Sequence, residues 1–434
     1  MRSRLLSTLL LLTGLTGSML PAAGRVTPAA SQGASERPAL LTLEQALARM
    51  FERNPELGVS ELEIQAASAR IEQAGRKPNP EITAEAENLS TLGVGPGVFR
   101  YSENSLLFSQ KLELGGKREL RVLAAEKDFA VASIQLEVKK RGMIFEASRA
   151  FTDVLAEQER FANQQALTRL AQQFHATVSE RVAAGKVSPV EQTRAAVARA
   201  AAQLEADKRL RALLAAKEQL AALWGGTYQD IEAARGTFAI PEAGSGSADL
   251  CMENNPELKL AAADANSRDA ALALELGLRK PDLTVSAGFR YLNPERAPVW
   301  VAGISIPLPI HDKRQGAIAE ARIRLDQSRL AEQALARRLR AGLAQARQDR
   351  EIALLEVKSL TESTLPGAKE AAAAVEEGYR LGKFDYLNVL DAQRTYAELQ
   401  GRFIEAVVSG LRATLEIERL ARCDIPEAGP DRKK

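Results

Sequence analysis

The chain has 434 residues, with 58 basic against 56 acidic side chains and a net charge of +2. This balance excludes the concentrated positive charge of a nucleic-acid-binding surface, so no nucleic acid is expected among its partners. Aromatic residues make up only 5%, sparse for conventional globular cores, and the alanine-rich, charged remainder has the character of long packed helices.

Residues 1–23 open with Met-Arg-Ser-Arg, run through an apolar stretch and end in small residues around Pro21, Ala22 and Ala23. That is the pattern of a secretory signal peptide, cleaved near Ala23 or near Ala30, with an apolar core short for a membrane anchor. No cysteine lies near either site, so no lipid is expected on the mature N-terminus. No later run reaches the roughly 18 apolar residues of a membrane-crossing helix, so any contact with lipid must be made by strands.

A first repeat spans 41–224. Thr42 caps a helix over 43–75, with Gln45 placed to close a capping box. A β-hairpin follows at about 81–113. In its first strand Glu81, Thr83, Glu85 and Glu87 point one way and Ile82, Ala84 and Ala86 the other; in its second, Leu106, Phe108 and Leu112 share a face. A long helical hairpin then fills 118–224. Its first helix, 118–184, contains no proline and would reach roughly 100 Å at 1.5 Å per residue. The tip falls near 185–188, where Gly185 ends one helix in the left-handed conformation. Ser188 as N-cap, Pro189 at the first helical position and Glu191 three residues after the cap start the next.

A linker, 225–248, carries Gly225-Gly226 and Gly244-Ser245-Gly246-Ser247. A second repeat, 249–423, then uses the same anchors. Asn54-Pro55-Glu56-Leu57 returns as Asn255-Pro256-Glu257-Leu258, and Pro80-Glu81-Ile82-Thr83 as Pro281-Asp282-Leu283-Thr284, both at an offset of 201. Gly116-Lys117-Arg118 returns as Asp312-Lys313-Arg314 at an offset of 196, and Gly185-Lys186 as Gly382-Lys383 at 197. Four anchors in one order identify a tandem duplication. The second copy is read as a helix over 257–278, a β-hairpin at about 282–308, and a helical hairpin over 315–421 with its tip near 382–385; a tail, 424–434, ends the chain. In its strands Leu283, Val285, Ala287, Phe289 and Tyr291 alternate with polar residues, and Trp300, Ile304 and Ile306 share a face. Strands with one apolar, aromatic-edged face fit transmembrane β-strands, and they equally fit two-faced hairpins in a periplasmic domain. Four strands leave open edges in lipid, so a membrane reading requires several chains to share one barrel.

These fragments resemble the TolC-type outer-membrane efflux proteins over about 41–423. The resemblance is carried by Leu43-Glu44-Gln45-Ala46-Leu47 with Asn54-Pro55-Glu56-Leu57, by Gln73-Ala74-Gly75 with Pro78-Asn79-Pro80-Glu81, and by Ser109-Gln110-Lys111-Leu112-Glu113-Leu114-Gly115-Gly116-Lys117-Arg118. The run from Tyr379 to Ala392 adds to it. The junction around Gly115 is most similar to the CzcC-like branch for cobalt, zinc and cadmium. The resemblance implies an α+β membrane protein: a homotrimer whose 12-stranded outer-membrane β-barrel, four strands per chain, continues into a long periplasmic α-helical barrel. Its implied partners are outer-membrane lipid of a Gram-negative bacterium, a periplasmic membrane-fusion adaptor and an inner-membrane RND pump. The adaptor would dock on the tips, Ala184, Gly185, Lys186, Val187 and Ser188 in the first repeat and Leu381, Gly382, Lys383, Phe384 and Asp385 in the second. Glu191, Tyr379 and Asp391 match the family's periplasmic gate, whereas Asn388 stands where some members have an acid. Helix capping alone also accounts for Glu191 and Asp385.

His175, His311, Cys251, Cys423 and five methionines show no metal-ligand clustering, so no metal site and no cofactor are expected. A conduit must release its ion, and diffuse carboxylates suit transit. If their strand face lines the lumen, Glu81, Glu85 and Glu87 form an acidic zone; otherwise they form a solvated strand face. Cys251 and Cys423 are either a disulfide pair in an oxidising periplasm or two free thiols. No phosphate-loop, zinc-protease or nucleophile-elbow motif is present, so no enzyme is expected. The rival readings are drug efflux or type I secretion through the same kind of channel, and a periplasmic coiled-coil scaffold without a channel.

Overall fold

A computed structural model describes residues 39–89, 101–241 and 254–421. The expected signal peptide, the tail, Cys251 and Cys423 lie outside the described residues.

Strand β1 (Ala39–Leu41) leads into α1 (Leu43–Arg53), where Thr42 and Gln45 form the expected capping box. The single helix expected over 43–75 is broken in two. Asn54 takes an extended conformation, as a residue before proline prefers, and caps α2 (Pro55–Ala74) by accepting the Glu56 N–H at 2.9 Å. Strands β2 (Glu81–Glu87) and β3 (Glu103–Leu112) follow, then α3 (Lys117–Ala183), 67 residues long, and α4 (Pro189–Ala222).

The segment expected to be only a linker contains a 3-10 turn, Tyr228–Asp230, and β4 (Ile231–Ala234), which pairs in parallel with β1. Gln158 of α3 both donates to the Ala234 carbonyl at 3.0 Å and accepts its N–H at 2.7 Å, so the strand end is tied to the long helix. Leu41, Phe151, Val154, Leu220, Trp224 and Ile231 build the largest apolar cluster there.

The second repeat runs through α5 (Pro256–Leu278), β5 (Leu283–Leu292), β6 (Ala297–Ser305) and α6 (Gln315–Ser359). It continues through a π-helical turn, Leu360–Thr364, into α7 (Leu365–Arg380), and ends with α8 (Tyr386–Ala421). The interruption of the descending helix is a departure from the expected plan, and Pro366 explains it. Proline has no N–H, and its ring crowds the carbonyl four residues back. The Leu365 N–H reaches the Leu360 carbonyl instead, while the Ser363 and Thr364 hydroxyls bond the Ser359 carbonyl at 3.1 and 3.2 Å.

Strands β2, β3, β5 and β6 form one antiparallel sheet in that order, with β2 and β6 at its edges. Its register stacks Ala84, Leu106, Phe289 and Trp300 in one cross-strand row, and Ile82, Phe108, Ala287 and Ala302 in the next. This face is apolar and open: Trp300 is 88% exposed and Ile82 and Ile304 are each 73% exposed. Among the described residues no helix is long and apolar enough to cross a membrane.

Candidate functional site

Both tips are built by the same backbone device. Gly185, at φ +67°, lets the Lys186 N–H reach back to the Arg181 carbonyl and its own N–H reach Val182, both at 2.9 Å. Gly382, at φ +72°, does the same with Lys383 on Gly378 and itself on Tyr379, at 2.8 and 3.0 Å. These are Schellman turns, and the left-handed position favours glycine. Ser188 caps α4 by accepting the Val190 N–H, and Asp385 caps α8 by accepting the Asn388 N–H at 3.1 Å. The turned ends present Val190, Leu381, Phe384 and Leu387 as exposed apolar side chains beside Lys186 and Lys383.

Glu191 departs from its expected place in a capping box. Its Oε2 accepts from the Tyr379 hydroxyl at 3.0 Å, which binds the first hairpin to the second. Tyr379 is 1% exposed, and its ring packs on Phe174 at 5.2 Å between centroids; Phe174 also stacks on Tyr386 at 5.4 Å. Arg181 lies over the Tyr379 ring at 4.4 Å and donates to the Tyr379 carbonyl. Burial, reinforced by the hydrogen bond and charge of Glu191, pushes the Tyr379 phenol up to about 12. Asp391 is exposed on α8 and takes no part in this pair. It stands two residues past the buried Val389, about 200° round the helix. Phe174, Val178 and Arg181 were not anticipated as tip residues; their spacing along one face of α3 was the available signal.

Glu81, Glu85 and Glu87 do share one face of the sheet, opposite the apolar one. The register adds Glu103, Ser105 and Arg290 to that face. Arg290 donates to Glu103 at 2.9 Å and to the Ser105 hydroxyl at 3.0 Å, and its Nη2 lies 3.5 Å from Glu87. The Glu87 end of the acidic face is therefore charge-compensated, and Glu81 and Glu85 make no ion pair among the described residues.

Where the sheet meets the helices, Gly115 and Gly116 both take left-handed backbone and start α3. Lys117 is buried and donates to Asp282 Oδ1 at 2.5 Å, while Lys111 lies 3.1 Å from Oδ2 of the same carboxylate. Arg121 binds Glu113 with two guanidinium nitrogens, one at 2.9 Å, and reaches the Ala74 carbonyl at 3.4 Å. The conspicuous glycine-lysine motif is thus a joint between sheet and helix. Among the described residues no group of three or more His, Cys, Asp or Glu is placed to hold a metal ion.

The family described as outer membrane efflux protein matches residues 43–226 and 248–421 of this chain. The cobalt-zinc-cadmium resistance protein CzcC of Cupriavidus metallidurans is 31% identical over 386 residues, which cover 88% of this chain and 90% of that protein. The nickel-cobalt-cadmium resistance protein NccC of Alcaligenes xylosoxydans xylosoxydans is 25% identical over 308 residues, covering 69% of this chain and 68% of its own length. In fold, the chain is similar to the crystal structure of the outer membrane protein VceC from Vibrio cholerae, with a TM-score of 0.74 at 16% identity, covering 87% of this chain and 95% of that one.

Proposed function

The chain belongs to the outer membrane efflux protein family, and from that premise we propose that it is the exit duct of a tripartite system carrying divalent heavy-metal cations out of a Gram-negative cell. The observation that carries this reading is the four-stranded sheet with an exposed apolar face and two open edges, joined directly to long helical hairpins. Open edges are not viable in lipid. Three copies close them into one 12-stranded barrel in the outer membrane, and the hairpins continue as a tunnel into the periplasm. A periplasmic adaptor then docks on the tips around Gly185 and Gly382, where exposed apolar and lysine side chains meet, and an inner-membrane pump drives the export.

The metal assignment is supported by relatives named for resistance to cobalt, zinc, cadmium and nickel. Diffuse carboxylates on the inner sheet face, with Glu85 at their centre, draw cations without holding them. The Tyr379–Glu191 bond serves as the latch of the periplasmic end, with Asp391 left to face a neighbouring chain.

The test is deletion of the gene, complemented by the wild type and by a Gly185→Asp/Gly382→Asp double variant, on graded zinc, cadmium, cobalt, nickel, copper and a drug panel. Sensitivity to one metal group, shared by a tip variant still present in the outer membrane, is the expected result. Sensitivity to drugs alone reassigns the substrate. A product found soluble in the periplasm, with no phenotype, removes the channel.

A further inference from the structure

The two repeats differ at the base of the sheet. In the first, Lys117 heads α3, directly below β3, and its buried ammonium donates to Asp282 at 2.5 Å. Asp282 stands immediately before β5, the strand beside β3. Lys117 belongs to the anchor Gly116-Lys117-Arg118 and Asp282 to the anchor Pro281-Asp282-Leu283-Thr284. Their counterparts in the duplication are Lys313, in Asp312-Lys313-Arg314, and Glu81, in Pro80-Glu81-Ile82-Thr83.

Those counterparts do not meet within the chain. Both are exposed, and neither side chain has an ion pair or hydrogen bond among the described residues. The reason is topological. Lys313 lies below β6 and Glu81 opens β2, and these strands are the two opposite edges of the sheet. Among the described residues no strand stands beside the outer edge of β6.

In the shared barrel described above a second copy of the chain supplies that strand, and we propose that Lys313 forms an ion pair with Glu81 of the partner subunit, as Lys117 does with Asp282 inside one chain. Strand direction agrees, because β2 leaves the helices and β6 returns to them, so the junction is antiparallel like that of β3 and β5. The faces agree as well. Glu81 shares the polar face with Ser109, Ser286 and Gly303, and joining β6 to β2 leaves both faces continuous. Beyond Ser305 the chain carries Ile306, Leu308 and Ile310, all exposed, with Leu308 at 74%. They continue the apolar alternation of β6 past the end of its pairing with β5, where β2 of the partner would lie. Charge complementarity then falls at the foot of each junction between one hairpin and the next, Lys117–Asp282 alternating with Lys313 and the partner subunit's Glu81. Of the acidic inner face, Glu87 is held by Arg290 and Glu81 closes the barrel, which leaves Glu85 as the open carboxylate.

This inference rests on the shared-barrel reading above. The full-length protein is purified from outer membranes in detergent, and the temperature at which its oligomer dissociates is read on gels. Glu81→Lys and Lys313→Glu are each expected to lower that temperature, and the double swap to recover most of the loss. In a Cys251→Ser/Cys423→Ser chain, the pair Glu81→Cys with Lys313→Cys is expected to be linked between chains by a bifunctional methanethiosulfonate as long as the ion pair, reversibly by thiol, while either cysteine alone is not; a direct disulfide is too short for side chains of this reach. A wild type that behaves as a monomer in the membrane overturns the shared barrel. A stable wild-type oligomer with unaffected single variants, or a double swap no better than the worse single, overturns the ion pair alone. An assembled cysteine pair that does not cross-link overturns it too, even where the charge variants fail to assemble.

Discussion

The hydroxyl of Tyr379, near the end of α7, donates to Oε2 of Glu191, in the first turn of α4, across 3.0 Å. Together with the bond from Arg181 to the Tyr379 carbonyl, this bond joins the tips of the two hairpins, and it does so between a phenol that is 1% exposed and a carboxylate that a purely local reading assigns to its own helix end. Tyr379→Phe keeps the ring against Phe174 and beneath Arg181 and removes only the donor. It is expected to weaken the tip by about 1.5–3 kcal/mol, the range for a hydrogen bond to a charged group. Amide exchange in the last turns of α3 and α7 accelerates, exchange elsewhere stays as it was, and conductance in planar bilayers rises. Glu191→Gln keeps an acceptor and has a smaller effect. Unchanged exchange and conductance in both variants would remove this bond from any role at the tip.

The same phenol sets a pH limit. Its folded value, raised to about 12 by burial and by Glu191, lies above the value of about 10 in an unfolded chain. A raised value favours the protonated fold. That contribution is complete below about pH 10 and is lost as pH climbs through 12. The phenol therefore leaves tip stability flat through the neutral range. A difference titration of phenolate absorbance, wild type minus Tyr379→Phe, should show one tyrosine ionising last.

Glu113 works at the other extreme. The hydrogen bond from Arg121 holds its carboxyl below the usual range, against an opposing effect of burial. A lowered value favours the ionised fold. Its contribution is present above about pH 4.3 and fades as pH falls through the folded value. Glu113→Gln is expected to flatten the acid side of the melting-temperature profile and leave the neutral plateau lower. Circular dichroism in detergent checks both.

Asn255 is 1% exposed and satisfies two helix ends at once, accepting the Glu257 N–H at 2.8 Å and donating to the Leu420 carbonyl at 3.0 Å. Asn54 repeats the arrangement with Glu56 and Leu223 at 2.9 Å each. Asn255→Ala removes a cap worth about 1 kcal/mol and leaves a buried carbonyl unpaired, at about 1–3 kcal/mol more. It should lower the melting temperature more than Asn54→Ala does, because Asn54 is less buried.

The two faces of the sheet should answer differently to one charge. Ala302 sits on the apolar face between Trp300 and Ile304, and Val301 on the polar one. Arginine facing lipid near mid-membrane costs about 2–4 kcal/mol per site. Ala302→Arg is expected to reduce the amount of heat-resistant oligomer in outer membranes sharply, and Val301→Arg to spare it. Equal losses would speak against lipid on the Trp300 face.

Much of this architecture was open to reading because it rests on short-range rules. Alternation in β2, β3, β5 and β6 marks two faces, and the repeat anchors are caps and turns whose chemistry is local. Asn54 broke the expected helix for an equally local reason, the proline after it. Strands β1 and β4 are too short to show any period, so their parallel pairing stayed hidden in an expected linker. Arg290 could not be assigned to Glu87 and Glu103 without the cross-strand register, which sequence does not contain. Tyr379 and Glu191 were grouped by resemblance, whereas Arg181 and Phe174 entered only through packing.

The duplicated anchors are 196 residues apart at Lys117 and Lys313, but 197 apart at Gly185 and Gly382. The second copy holds one residue more than the first on the way from base to tip. The π turn at Leu360–Thr364 holds one residue more than the α turn it replaces, and it lies on that path. The extra residue is thus accommodated as a local swelling of the helix. The two copies therefore differ in length without losing the meeting of their tips, where Tyr379 of the second still reaches Glu191 and Arg181 of the first.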